Sequence, residues 1–351
     1  MCRARRALGG TGSECQEDRL RHARPSFPLP QLAACLLLAA LAQGGAATAR
    51  GPHFASWQPD RAGFSVRFHG EETHHTLLGV FVLPGEVLPL AVADAEIAAG
   101  SYALEAPAET AVEPAGPAAW RWTAPAESGL YPLTVHQAPS GRTLTLNVFV
   151  MVPASQAAGG ELNGYRLGDY PDEPFRDLPT YLPPRGFVEV TEELRDARVA
   201  PHFTLAQFLC RQQGGFPKYV ALRERLLLKL EMILEAVNAS GHPADTLSIQ
   251  SGFRTPHHNH TRGRGRYSRH IYGDAADLFV DQDGNGRMDD LDGNGRLGNG
   301  DAEALRRIVE GIDGRPTLAE YIGGLGFYRG GAGHGPYLHV DTRGYPARWG
   351  S

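Results

Sequence analysis

Ser268-Arg269-His270-Ile271-Tyr272-Gly273-Asp274-Ala275-Ala276-Asp277 sets a histidine and an aspartate seven positions apart, with one glycine between them. Sixty-two positions beyond Asp277 lies a second short run, Leu338-His339-Val340-Asp341. Two imidazoles and one carboxylate suit zinc. Three protein ligands leave a fourth position for water, which is a catalytic arrangement. Gly273 permits a tight turn between the first two ligands, and Ala275 permits close packing. Asp277-Leu278-Phe279-Val280 continues as a buried strand, and Val340 and Asp341 extend a similar run. By residue type alone such a trio is ordinary, because most histidines and aspartates are surface or capping groups.

The stretch 268–277 matches the pattern S-x-H-x-x-G-x-A-x-D at every fixed position. In this it resembles the D-Ala-D-Ala metallopeptidases, which share a fold with the hedgehog signalling domain. Leu338–Asp341 is similar to their second metal motif. Ser251-Gly252-Phe253-Arg254-Thr255-Pro256 is similar to the S-G-[YF]-R segment that precedes the signature. The resemblance covers residues 200–351 and implies an α+β zinc domain whose small antiparallel sheet bears the metal. It implies His270, Asp277 and His339 as zinc ligands. It also implies hydrolysis of peptidoglycan stem or cross-link peptides, as a D-Ala-D-Ala carboxypeptidase or a murein endopeptidase. The alternative is a zinc-containing cell-wall-binding module of the same fold without catalysis.

The same resemblance suggests further roles. Arg254 stands sixteen positions before His270, where related carboxypeptidases place an arginine beside the scissile carbonyl. A guanidinium there stabilises a developing oxyanion. His334 stands five positions before His339, where some relatives carry a histidine, and imidazole suits general acid/base work. A solvated loop histidine fits His334 equally well, given the glycines at 330, 331 and 333. Relatives that use a glutamate three positions before the last ligand are excluded as a pattern, since Pro336 stands there. Asp341 is expected to orient a ligand histidine. His257, His258 and His260 read as a solvated loop.

An acidic insert occupies 281–301. Asp281, Asp283 and Asn285, then Gly286, Asp289 and Asp292, follow the spacing of a calcium loop, with aspartate at its last position. A second copy overlaps it through Asp290, Asp292, Asn294, Gly295 and Asp301. Two copies in tandem favour calcium over polar turns. No helix is expected on the entering side, so isolated loops are expected in place of a helix-flanked sensor pair. Ala302–Gly311 reads as a short helix.

Outward from this core, Tyr219–Ala239 reads as an amphipathic helix on Leu222, Leu226, Leu230, Ile233, Leu234 and Val237. Residues 154–199 read as a linker, pinned by a turn at Asn163-Gly164. Residues 51–153 read as short strands: Phe64–Phe68 and Trp120–Thr123 alternate with period two, and Leu144–Val152 is an apolar run rich in β-formers. Gly129-Leu130-Tyr131 is similar to a tyrosine corner, so an immunoglobulin-like β-sandwich is expected, with a cell-wall or protein ligand. Residues 1–50 read as a signal peptide or N-terminal anchor: an Arg-rich start, an apolar run at 32–42, and Ala47-Thr48-Ala49. That predicts a periplasmic or secreted protein, or one anchored through 32–42. Beyond that segment only Cys210 remains of four cysteines, so no internal disulfide is expected. A net charge of −5 argues against nucleic acid as a partner.

Overall fold

The computed structural model describes residues 57–93, 101–138, 140–331 and 333–350. The expected leader at 1–50, with its run at 32–42, lies outside the described residues. The alternating segments become strands β1 (Arg61–Phe68), β2 (Glu71–His75), β3 (Leu77–Val82), β4 (Val87–Val92), β5 (Tyr102–Glu105), β6 (Ala111–Gly116), β7 (Ala119–Thr123), β8 (Gly129–Gln137) and β9 (Arg142–Val150). They join two sheets, in the orders β2-β1-β4-β7-β6 and β3-β9-β8-β5. Side chains alternate across a strand, so β1 buries Phe64, Val66 and Phe68 and exposes Arg61 and Arg67. Val66, Leu88 and Trp122 of one sheet and Val80, Leu133 and Val148 of the other share one core. The Tyr131 hydroxyl donates to the Glu127 carbonyl at 3.2 Å. Two sheets on one core is as far as these strands go toward the expected immunoglobulin-like type. β3 runs parallel to β9.

Residues 154–199 are packed into the fold. β10 (Val152–Pro153) pairs with β13 (Gly186–Val190), and the hairpin of β11 (Glu161–Leu162) and β12 (Tyr165–Arg166) lies between them in sequence. Asn163 and Gly164 take φ of 49° and 79°, the left-handed pair that a two-residue hairpin turn requires. Burial of Phe187, Val188 and Val190 holds this segment against the core instead of leaving it a solvated linker.

β14 (Arg198–Ala200), β15 (Phe203–Thr204) and the short helix α1 (Leu205–Phe208) follow, with the Gln207 side chain accepting from the Thr204 amide at 2.9 Å. β16 (Lys218–Val220) then pairs with β13, and α2 runs over Glu224–Ala239. The expected helix therefore starts five residues late. Tyr219 and Val220 are drawn into a strand by β13, and Arg223 is still extended. From Leu226 on, the periodic face is buried as read. α2 packs on the first two sheets: Glu224 accepts from the Phe81 amide at 3.0 Å, and Arg225 pairs with Glu71 at 2.6 Å. The strands of 57–150 and the elements beyond 200 thus share one core.

The last sheet is built from β17 (Ser248–Ser251), β18 (Ala275–Phe279), β19 (Gly324–Tyr328), β20 (Tyr337–Asp341) and β21 (Ala347–Trp349), in the order β17-β18-β20-β19-β21. All its pairings are antiparallel except β19 with β21. Helix α3 (Pro256–Thr261) carries His257, His258 and His260, which sequence had placed in a loop; Pro256 opens it and the Thr255 hydroxyl caps it. Helix α4 spans Asn299–Asp313, longer at both ends than expected, and buries Leu305, Val309 and Ile312. Among the described residues no helix is long and apolar enough to cross a membrane.

Candidate metal centre

Strand alternation decides which side chains meet. In β18, Ala276 and Leu278 are fully buried on one face, which leaves Asp277 on the other. In β20, Leu338 and Val340 are fully buried, and Tyr337, His339 and Asp341 share the opposite face. Burying each Leu or Val contributes about 1.5–3 kcal/mol, so the register is held by the core. A one-residue slip would turn Asp277 and His339 into that core. The register sets Asp277 directly across from His339.

His270 arrives from outside the sheet. It lies in the 3-10 turn Arg269–Tyr272, which Gly273 closes at φ 76°. A Cβ on Gly273 would come within 2.4 Å of the Ala221 carbonyl oxygen. Both the backbone conformation and the space therefore demand glycine. Gly273→Ala is expected to cost roughly 3 kcal/mol of stability, because strain and overpacking combine. Urea unfolding checks this, and a midpoint equal to wild type would refute it.

The three candidate ligand atoms converge. His270 Nε2 lies 3.1 Å from Asp277 Oδ1 and 3.1 Å from His339 Nδ1, and His339 Nδ1 lies 2.9 Å from Asp277 Oδ1. Ligands of a tetrahedral ion at zinc bond lengths are separated by about 3.3 Å, so the donor set fits. The outer partners fix which nitrogen faces inward. His270 Nδ1 donates to the Gly252 carbonyl at 2.7 Å, which frees Nε2. His339 Nε2 donates to Asp341 Oδ2 at 3.0 Å, which frees Nδ1. Asp341 in turn accepts from the Gly324 amide at 2.8 Å and from Arg343 Nε at 2.9 Å. Asp341 therefore sits where an orienting carboxylate belongs.

Charge follows the same pattern. Burial works against the ionised Asp277 carboxylate, yet His270 and His339 hold its pKa far below the usual range. Burial is the largest influence on His270 and lowers its pKa, against the raising effect of Asp277. Arg254 Nη2 donates to Asp277 Oδ2 at 2.5 Å and lies 3.2 Å from His270 Nε2. Its Nε donates to Ser251 Oγ at 2.8 Å. Arg254 is thus brought to the trio.

His334 is exposed and stands apart. Its Nδ1 lies 2.8 Å from the Gly335 carbonyl, and its ring meets Tyr337 edge-on at 5.2 Å. Tyr337 lines the cavity in front of the trio, so His334 approaches the site through that ring.

The acidic insert forms two clusters. Asp281, Asp283 and Asp289 gather their carboxylates within 4.8 Å of one another, and so do Asp290, Asp292 and Asp301. Asp292, expected to serve both copies, gathers with the second. The loops repeat each other: the Asn285 amide donates to Asp281 and Asp283, and the Asn294 amide to Asp290 and Asp292. Met288 and Leu291 anchor the insert in the core.

Several cavity residues were not legible as site residues. Tyr337, Tyr328 and Trp349 wall the space of about 560 Å³ before the trio. Tyr337 was signalled by its place two positions before His339 on an alternating strand. Trp349 was not, since it arrives with β21 and lies over Gly326; its ring centre is 5.1 Å from that of His339.

The family model described as Peptidase M15 matches residues 201–291. The match takes in Arg254, His270 and Asp277 and ends before His339. No curated protein is similar enough to the chain to count as a match.

Proposed function

We propose that this Peptidase M15 segment, completed by His339 from beyond the matched residues, is the catalytic part of a zinc peptidase that cuts peptidoglycan peptides. The observation that carries the proposal is the convergence of His270 Nε2, His339 Nδ1 and Asp277 Oδ1 at 2.9–3.1 Å beside a cavity. His270, Asp277 and His339 would hold the metal, and Gly252 and Asp341 would orient the two imidazoles. Bound zinc supplies Lewis-acid polarisation of a carbonyl and acidifies water. Arg254, fixed by Ser251 and Asp277, would donate to the oxygen that gains charge. His334 would carry a proton at an imidazole nitrogen, which requires it to swing in past Tyr337. Tyr328, Tyr337 and Trp349 would shield the site from bulk water. Release of soluble peptides or D-alanine from purified sacculi tests this, and the product separates a carboxypeptidase from an endopeptidase. Sacculus binding without any release would favour the non-catalytic wall-binding module.

Export to the periplasm or beyond, and a wall or protein ligand for the strands of 57–150, complete the proposal. Calcium is proposed for the two aspartate clusters of the insert, where close carboxylates repel one another without a cation. Binding to the native state alone would add about 2.7 kcal/mol at a calcium concentration roughly 100-fold above Kd. The melting temperature of the full chain is expected to rise with calcium and to rise less with magnesium. Equal melting curves in calcium and in a calcium-selective chelator would remove this ion from the proposal.

A further inference from the structure

We infer that Arg264 and Arg266, at the rim of the metal-site cavity, bind a free carboxylate of the substrate, so that peptides retaining their acidic groups are selected over amidated ones. This rests on the peptidase proposal and names the substrate class of that site.

Five arginines line the cavity: Arg254, Arg264, Arg266, Arg269 and Arg343. Three are committed elsewhere. Arg254 is held by Asp277 at 2.5 Å. Arg269 is buried, pairs with Asp274, donates to the Thr180 carbonyl at 2.9 Å, and lies 4.1 Å from the Tyr181 ring centre. Arg343 is bound to Asp341 through its Nε at 2.9 Å. Turning Arg269 or Arg343 toward a ligand would strand a buried carboxylate, which is costly, and Arg254 is assigned to the oxygen that gains charge.

Arg264 and Arg266 differ. Both are exposed. Arg266 comes no closer than 3.8 Å to Asp172, which is fully exposed. Arg264 has no ion pair among the described residues, and it lines the cavity together with Arg254.

Their loop is anchored. The Arg264 amide donates to the Asn259 carbonyl at 3.1 Å, and the buried Asn259 side chain donates to the Gly265 carbonyl at 3.0 Å. The alternation Arg262-Gly263-Arg264-Gly265-Arg266 therefore presents guanidinium groups with no bulk between them, from a backbone held at both sides.

The positive character continues beyond the rim. An adjoining cavity of about 440 Å³ shares Arg264 and Arg266. Another, of about 540 Å³, is lined by Arg166, Arg211 and Arg262 and by no acidic residue. Asp169 is the one carboxylate in the lining of either. This strip stands out in a chain of net charge −5. A guanidinium fork matches a carboxylate in bidentate fashion, and at an exposed rim each such contact is worth up to about fivefold in affinity, so that two together reach about tenfold.

The test compares two soluble disaccharide-pentapeptides, one with free carboxylates and one with every carboxylate amidated, on the zinc-loaded full chain. Wild type is expected to favour the free form about tenfold or more in kcat/KM, mainly through KM, with the preference falling as salt rises. In the Arg264→Gln/Arg266→Gln double variant that ratio should fall to within about twofold, and the paired lysine variant should keep only part of it, because a point charge does not reproduce the fork. An unchanged ratio in the glutamine variant, or a wild type without preference, overturns the inference. Calorimetry separates it from the peptidase proposal. Tighter binding of the free form with no hydrolysis of either compound keeps the carboxylate site and removes the peptidase. Equal competition by inorganic phosphate against both compounds would overturn the inference in favour of a phosphate site.

Discussion

Replacing His270 by alanine is expected to take bound zinc from about one ion per chain to close to none, and peptidase activity to background with it. The expectation follows from how the site is assembled. Asp277 and His339 face each other across β18 and β20, so two donors are fixed by strand pairing. The third donor comes from the turn after Ser268, and without its Nε2 the remaining pair leaves an ion two protein ligands. The imidazole is buried and bonded to the Gly252 carbonyl, so alanine also leaves a polar oxygen without its partner. Elemental analysis of the full chain, with circular dichroism to confirm folding, makes the measurement. A folded variant with full zinc would show that His270 is not a ligand. The full chain is the right object because α2 packs on the first two sheets, and a fragment starting at 200 would expose that contact.

Arg254→Ala is expected to retain most zinc and lower kcat by roughly a hundredfold, the size associated with one lost donor to a developing negative charge. Arg254 lies 2.5 Å from Asp277 Oδ2 and 3.2 Å from His270 Nε2, and its Nε is held by Ser251. It therefore meets the proposed metal ligands and the cavity at once. Lysine at this position should restore only part of the rate, because a point charge does not reproduce the fork. His334→Ala provides the contrast. If the histidine moves a proton, its loss lowers kcat and flattens the neutral limb of the pH–rate profile while zinc content stays. Wild-type rates in that variant would transfer the proton role to another group. Loss of zinc in Arg254→Ala would instead make Arg254 a support for Asp277, with no share in the chemistry.

The short-range features were open to the sequence because each rests on chemistry local to a few residues. Strand alternation in Phe64–Phe68 and in 337–341 is periodicity alone. The Asn163-Gly164 turn and the demand for glycine at 273 follow from backbone sterics. The metal trio and Arg254 could be named because their spacings resemble a known signature, and the structure brings those four side chains together. Where β13 competed for Tyr219 and Val220, the helical pattern lost its first turn to strand pairing. The segment 154–199 looked like a linker because its composition is polar and rich in turns, yet three apolar residues near 188 tie it to the core. The same limit applies to the cavity. Trp349 reaches His339 only because β21 lies parallel to β19 and Gly326 leaves room for its ring. Likewise, Arg269 and Arg343 pair with aspartates five and two positions away and Arg254 with one twenty-three away, but only tertiary packing buries these three pairs and leaves Arg264 and Arg266 exposed at the rim. A sequence states which groups are present and how they repeat. Which of them end as neighbours, and which are already satisfied, is decided when distant strands and helices bury their apolar faces together.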